Sequence, residues 1–350
     1  MAPRRPAMLG QPHRHAPRHD VRPGLYPPHA PDDDSGTEAR LMRMRIAAVD
    51  LVSNTCFPAL AADGLGFFRD EGLDAGIELV AAMGSTRALR AGAADAMIAG
   101  SVHDLLTEFA NWDGVKICVA LSQGTPWLLT VRADLAAPRG DFAALRGLRL
   151  TAAEGPDLAF REMLRRGGLD PDRDVEIVAL PGSGERHVSF GVFAAEGLRN
   201  GLIDGFWANA MGAETAVAAG IGKIHVDVRR GDDPGGARFF TFAGLATTDD
   251  FLARAPEAVD AAVRAIVRAQ RALRDDPGLA RKVGEGKFPP ESATLIANVI
   301  ARDAAFYDPV ITEERVERLN DFARAIGHLT GPAPYEKVIA TRCRPLWTGG

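Results

Sequence analysis

Apolar runs of strand length alternate with helical periods through most of the chain, and two of the runs end alike. Ile77-Glu78-Leu79-Val80-Ala81-Ala82-Met83-Gly84-Ser85 is matched in kind by Val175-Glu176-Ile177-Val178-Ala179-Leu180-Pro181-Gly182-Ser183. Each predicts a strand running into a Gly-Ser turn and then a helix. Each helix closes on one signature, Leu89-Arg90-Ala91-Gly92-Ala93-Ala94-Asp95 and Leu198-Arg199-Asn200-Gly201-Leu202-Ile203-Asp204, and a fully apolar run follows at 96–100 and 205–209. Glycine stops a helix, aspartate turns the chain and an all-apolar strand is buried on both faces, so each unit reads as half of a βαβ crossover. Residues 46–50, 51–57 and 58–65 predict a strand, a polar-tipped loop and a helix with proline in its first turn, closed by Gly66; residues 148–153, 154–157 and 158–166 repeat that order before Gly167-Gly168. The fold class expected is α/β, with two lobes of parallel-rich sheet facing each other across a cleft.

After residues 115–121, the run 127–132 predicts a strand leading out of the first lobe. A breaker-rich loop at 231–236 precedes a strand-like run at 239–247 that leads back. Two crossing strands make a hinge. The expected division is a tail over 1–44, a discontinuous first lobe over 45–131 plus 238–350, and a second lobe over 132–237. Val259, Val263, Ile266, Val267 and Leu273 predict one long amphipathic helix, with Arg264, Arg268, Arg271 and Arg274 on its solvated face. Further helices are expected near 291–304 and 312–326, with a final segment packing through Trp347.

Composition sets the class. The 350 residues suit two domains, and 46% hydrophobic with 25% charged residues is ordinary for a globular protein. A net charge of −5 with no basic stripe argues against nucleic acid as a partner. Cys56, Cys118 and Cys343 give neither a CxxC pattern nor a disulfide framework. Residues 1–41 hold 8 of the 23 prolines and 4 of the 8 histidines without apolar periodicity, which reads as disorder. No apolar stretch of export-signal type precedes the first strand, whether translation starts at Met1, Met42 or Met44, so a cytoplasmic location is expected from the residues alone. No run reaches membrane-spanning length.

The candidate chemistry lies in the loops at strand ends. Ser53, Asn54, Thr55, Cys56 and Phe57, then Gly84 and Ser85, then Ser101 place hydroxyl, amide and thiol groups at three helix starts, where free N–H groups and the dipole favour anions; the alternative is simple N-capping. Gln123, Thr125 and Trp127 follow, and the second lobe adds Glu154, Ser183, Trp207 and Asn209. Phe57, Trp127 and Trp207 would hold a flat ligand, although Trp207 also suits a core. Arg87, Arg161 and Arg186 are candidates to neutralise an anion. Cys56 with His103 could form a nucleophile and base, the alternative being an inert loop thiol. P-loop, HExxH, GxSxG and strand-anchored GxGxxG motifs are absent, and His103, His187, His225 and His328 have no metal-ligand spacing, so neither cofactor nor metal is expected.

Residues 53–62, Ser-Asn-Thr-Cys-Phe-Pro-Ala-Leu-Ala-Ala, followed by 64–74, Gly-Leu-Gly-Phe-Phe-Arg-Asp-Glu-Gly-Leu-Asp, resemble the opening of the SsuA/THI5-like (NMT1-like) proteins, as do the Leu-Arg-x-Gly-x-x-Asp unit and Gly100-Ser101. These belong with the type II periplasmic solute-binding proteins of nitrate, sulfonate, taurine and pyrimidine ABC importers. Over roughly 45–340 the resemblance implies a two-lobed fold, a two-strand hinge, a small organic anion or heterocycle in the cleft, a monomer, a periplasmic location and an ABC permease as partner. Some relatives are cytoplasmic enzymes. The iron-binding cysteine motif of pyrimidine synthases is absent here, whereas Ser53-Asn54-Thr55-Cys56 resembles the desulfinase Ser-Asn-Cys loop with one residue added. A solute-binding protein is therefore expected, with a cysteine-dependent desulfinase or decarboxylase, a pyrimidine-forming enzyme or a cytoplasmic ligand sensor as alternatives.

Overall fold

The computed structural model describes residues 41–49, 53–80, 83–183, 189–285, 287 and 290–348. Ten strands among them form two five-stranded sheets. In chain order, β1 (Met42–Ala48), β2 (Leu73–Leu79), β3 (Ala96–Ala99) and β4 (Val115–Ser122) enter the first sheet. The next five, β5 (Leu128–Arg132), β6 (Arg149–Ala152), β7 (Glu176–Ile177), β8 (Gly205–Ala208) and β9 (Gly222–Asp227), enter the second, and β10 (Ala243–Thr248) returns to the first. The orders are β2-β1-β3-β10-β4 and β7-β6-β8-β5-β9.

The sheets share one plan. β1 pairs in parallel with β2 and β3, as β6 does with β7 and β8. The single antiparallel insertion in each sheet is the strand that has crossed from the other half of the chain: β10 lies between β3 and β4, and β5 between β8 and β9. The central strands β3 and β8 are buried at every position, as their unbroken apolar runs require.

The repeated Leu-Arg-x-Gly-x-x-Asp signature has a structural cause. Asp95 accepts hydrogen bonds from the Arg45 backbone N–H and guanidinium at 2.9–3.0 Å, while Arg45 Nη2 donates to Gly92 O at 2.9 Å. Arg149 does the same in the second lobe, with its N–H on Asp204 at 2.9 Å, Nε on Asp204 at 3.1 Å and Nη2 on Gly201 O at 3.0 Å. Gly92 and Gly201 sit at φ +69° and +67°, the left-handed turn that lets their carbonyls face the arginine. The aspartate thus locks the helix end to the start of the neighbouring strand.

Several boundaries differ from the sequence expectation. β1 begins at Met42, inside the segment expected to be tail, because Met44 and Ile46 fill the first core. β5 already lies in the second sheet, so the first passage between sheets falls at 123–127 rather than at 131/132. β7 is two residues long, and the run from 239 becomes strand only at Ala243. Residues 1–40, 50–52 and 184–188, with the expected His-rich tail, Arg186 and His187, lie outside the described residues.

The helix Phe57–Gly64 is buried from Phe57 through Ala62 and packs against the long helix Pro256–Asp275. That helix buries Val259, Val263, Ile266, Val267 and Leu273, and its arginines strap neighbours: Arg264 pairs with Glu71 (2.6 Å), Arg268 with Asp70 (2.8 Å), and Arg274 donates to Tyr307 O (2.8 Å). Arg271 bonds Thr348 O, and Trp347 Nε1 donates to Cys118 O at 2.9 Å, fixing the C-terminal segment on the edge strand β4. Among the described residues no helix is long and apolar enough to cross a membrane.

Candidate functional site

The loops at the C-terminal ends of the parallel strands in both sheets enclose a cavity of about 360 Å³. Such strand ends are where open α/β sheets bind ligands. Of the residues expected from sequence, Ser53, Thr55, Cys56, Ser85, Ser101, Trp127, Glu154, Ser183, Trp207 and Asn209 line it together.

The others do different work. Phe57 is fully buried in the first core. Gly84 heads the helix Gly84–Arg90 against Val80. Gln123 Nε2 donates to Asp308 O and Val310 O at 2.9 and 2.7 Å. Thr125 Oγ1 donates to Ala237 O at 2.6 Å and accepts from Thr241 N–H at 3.3 Å, while its N–H reaches Arg238 O at 3.1 Å. The Thr125 bonds join the two chain passages between the sheets, whereas Gln123 ties the first passage to the segment that follows the helix Pro290–Asp303. Asn54 points away from the cavity lining, toward Asp303. Arg87 pairs with Glu108 and Arg161 with Asp172, outside the lining.

The hydroxyls are not helix caps. The helices beginning at Phe57, Gly84 and Val102 have no side-chain cap bond at Cys56, Met83 or Ser101. Ser53 Oγ and Thr55 Oγ1 lie 2.8 Å apart, Thr86 Oγ1 donates to Met83 O at 2.9 Å, and Ser101 Oγ donates to the Asp104 carboxyl.

Asp104, with Met83, Met97 and Phe190, is a lining residue absent from the sequence expectation. The Ser101-x-x-Asp104 spacing, which resembles a capping box, was the available signal. Asp104 Oδ1 has no hydrogen-bond partner and stands 3.4 Å from His103 Nε2. It also meets the second lobe: a Cβ placed on Gly155, at φ +90°, would lie 3.0 Å from Asp104 Oδ1 and 3.2 Å from Met83 Sδ. Burial pushes the Asp104 carboxyl up to about 7, opposed by the Ser101 hydrogen bond and by His328. Burial pulls His103 down to about 4, opposed by the Gly155 backbone and Asp157. His103 lies outside the lining, edge-on to Trp127 (centroids 6.3 Å) and Phe322 (5.0 Å), and a histidine so hard to protonate is a weak general base.

Trp207, fully buried, stacks on Phe160 at 5.6 Å and tilts against Trp127 at 6.0 Å. It therefore belongs to the second core and also forms part of the cavity wall. Cys56 Sγ lies at the lining beside Gly100, 3.9 Å from Thr55 Oγ1. No group of three or more histidine, cysteine or carboxylate ligands gathers among the described residues.

Residues 146–285 match the model of the NMT1-like family. The match covers β6 through β9 and beyond, not the 53–74 stretch in which the sequence resemblance was read, so the NMT1-like resemblance stands on independent parts of the chain. None of the curated proteins compared with the sequence matches it. Among solved structures, the alkanesulfonate-binding protein SsuA from Xanthomonas axonopodis pv. citri, bound to MOPS, superposes with TM-score 0.62 at 16% identity, covering 87% of this chain and 99% of that one. The periplasmic nitrate-binding protein NrtA from Synechocystis PCC 6803 gives 0.62 at 15%, covering 88% of each. The desulfurization enzyme DSZB gives 0.59 at 16%, covering 85% and 96%. The chain has the two-lobed fold of these periplasmic binding proteins.

Proposed function

We propose that the protein is a solute-binding protein that closes its lobes on one small, flat organic ligand and presents it to an ABC-type import permease. The observation carrying this reading is the cavity lined from both sheets, hydroxyl-rich in the first lobe and faced by Trp127 and Trp207. At about 360 Å³ it suits a ligand of one ring or a short chain. The family's sulfonates, carboxylates and pyrimidine-like heterocycles are the candidate classes. The Asp104 and Glu154 carboxyls in the lining favour a heterocycle bearing N–H donors, from which carboxyl oxygens can accept. Closure draws on the ligand's higher affinity for the closed arrangement.

A thermal-shift screen against alkanesulfonates, aromatic carboxylates, sulfinates and aminopyrimidines, with mass spectrometry of each mixture, tests this. Ligand at a hundredfold excess over Kd adds about 2.7 kcal/mol, which raises Tm by roughly 5 °C. An aminopyrimidine that raises Tm and returns intact is the expected result; no shift across the panel refutes the ligand classes. The position of Cys56 at the cavity wall favours a second reading, thiol-dependent chemistry. Consumption of a sulfinate or carboxylate, lost in Cys56→Ser, would replace binding by catalysis.

A further inference from the structure

Asn54 is the one residue of the 53–56 loop that turns from the cavity, and it is clamped at both ends. Its Nδ2 donates to Asp303 Oδ2 at 2.6 Å, and its carbonyl accepts from Tyr307 OH at 2.6 Å. Its neighbours Ser53, Thr55 and Cys56 all line the cavity. Asp303, last residue of the helix Pro290–Asp303, is 2% exposed and gathers three guanidinium groups: Arg230 Nη2 at 2.9 Å, Arg302 Nε at 3.1 Å and Arg229 Nη1 at 3.7 Å. These reach across to the second lobe. Arg229 and Arg230 follow β9, Arg230 also holds Asp227 at 2.7 Å, and Arg302 bonds Glu214 on the helix Ala210–Ala218. Arg229 returns to the first sheet through Ser122 Oγ at 3.1 Å, and both Arg229 and Arg230 stack over Phe306 at 4.8 and 5.2 Å.

Three arginines and three carboxylates, Asp303, Asp227 and Glu214, balance in charge at the passage between the sheets. A buried carboxylate so enclosed is held ionised against its burial. Ion pairs of this burial add little to stability relative to an apolar packing, so the arrangement calls for a reason other than holding the fold together.

We propose that Asp303 is a positioning residue: it fixes the Ser53–Cys56 wall of the cavity through Asn54 and, through Arg230 and Arg302, ties that wall to the second lobe so that lobe movement and the ligand-facing loop move together. The role in binding rests on the reading of the cavity as a ligand site, but the anchoring itself is testable without any ligand.

Hydrogen exchange read by mass spectrometry on the ligand-free full chain isolates the loop. Cys56 and Phe57 N–H both bond Ser53 O at 3.1 Å, and these amides report whether the turn holds. Asp303→Asn and Asn54→Ala should each speed exchange over residues 53–57 about tenfold while β4 stays protected. The double variant should be no faster than the faster single, because both act through one contact. Arg230→Gln touches neither loop nor cavity and should loosen the loop too, whereas Arg264→Gln, which breaks a pair with Glu71 in the same lobe, should not. If Asp303→Asn does not fold, Asn54→Ala carries the test of the anchor alone. Unchanged loop exchange in the folded variants overturns the anchor, additive effects in the double variant make the two contacts independent and overturn it too, and an unchanged Arg230→Gln overturns the tie between lobes. An equal response to Arg264→Gln would mean general loosening and overturn both.

Discussion

Asp104→Asn should make the protein more stable at neutral and alkaline pH, in a way that disappears in acid. The asparagine keeps the shape of the protonated carboxyl and can still accept from Ser101, but it cannot be charged. Burial raises the folded-state value to about 7, against about 3.9 for a free aspartate, a difference of roughly three units at 1.36 kcal/mol each. The folded protein holds this proton between about pH 4 and pH 7 while the unfolded chain has lost it. The contribution is therefore complete below about pH 4 and declines as pH rises through 7, a total of about 4 kcal/mol at most. His103 works in the opposite sense. Its folded value of about 4 lies below the ordinary 6.5, so its stability is present above about pH 6.5 and falls by roughly 3 kcal/mol as pH drops toward 4. In the wild type the two slopes offset each other between about pH 4 and 6.5. In Asp104→Asn the His103 slope stands alone. Urea unfolding followed by tryptophan fluorescence, from about pH 4 to about pH 8, should give equal stabilities at the acid end and an excess of up to about 4 kcal/mol for the variant at the alkaline end. A variant less stable throughout, or a difference independent of pH, would refute the reasoning.

Gly155→Ala should hold the lobes apart. At φ +90° a side chain is strained by about 1 kcal/mol, and its Cβ would press on Asp104 and Met83 of the facing lobe; a larger radius in small-angle scattering and a reduced ligand-induced Tm shift are expected, and wild-type values in both would exclude a closing contact here. The repeated arginine clamp should matter in both lobes. Arg149 holds Asp204 below the usual carboxylate range, and Arg45 does the same for Asp95 against its burial. Asp204→Asn and Asp95→Asn should each cost about 1 kcal/mol at neutral pH after allowance for solvent screening. Because a depressed carboxylate gives its stability above the ordinary value and loses it in acid, each deficit should shrink as pH falls below about 4; a deficit that persists in acid argues against the ion pair as its cause.

What the chain alone determined is what local physics decides. The period of apolar residues, the proline at helix starts and the Gly-x-x-Asp stops located the two βαβ units, and the fully apolar 96–100 and 205–209 runs marked the central strands. Loops at strand ends carry the cavity, so Ser53, Ser101 and Asn209 could be named without knowing what faces them. What tertiary structure decided depends on partners remote in sequence. Asn54 sits amid cavity-lining residues yet bonds Asp303, nearly the whole fold away along the chain. Gln123 and Thr125 look like site residues because they follow a strand end, but their partners at 308–310 and 237–241 hold them outside the cavity lining, Thr125 joining the two passages between the sheets. Arg264 and Arg268 read as a solvated face until Glu71 and Asp70 are brought beneath them. Asp104 directly follows His103, which ends up outside the cavity lining, and neither its orientation nor its pKa follows from its neighbours in sequence. Periodicity reports which face of an element is buried; the identity of the group waiting on the other side is set only when the two lobes meet, because burial and charge pairing act through space and not along the chain.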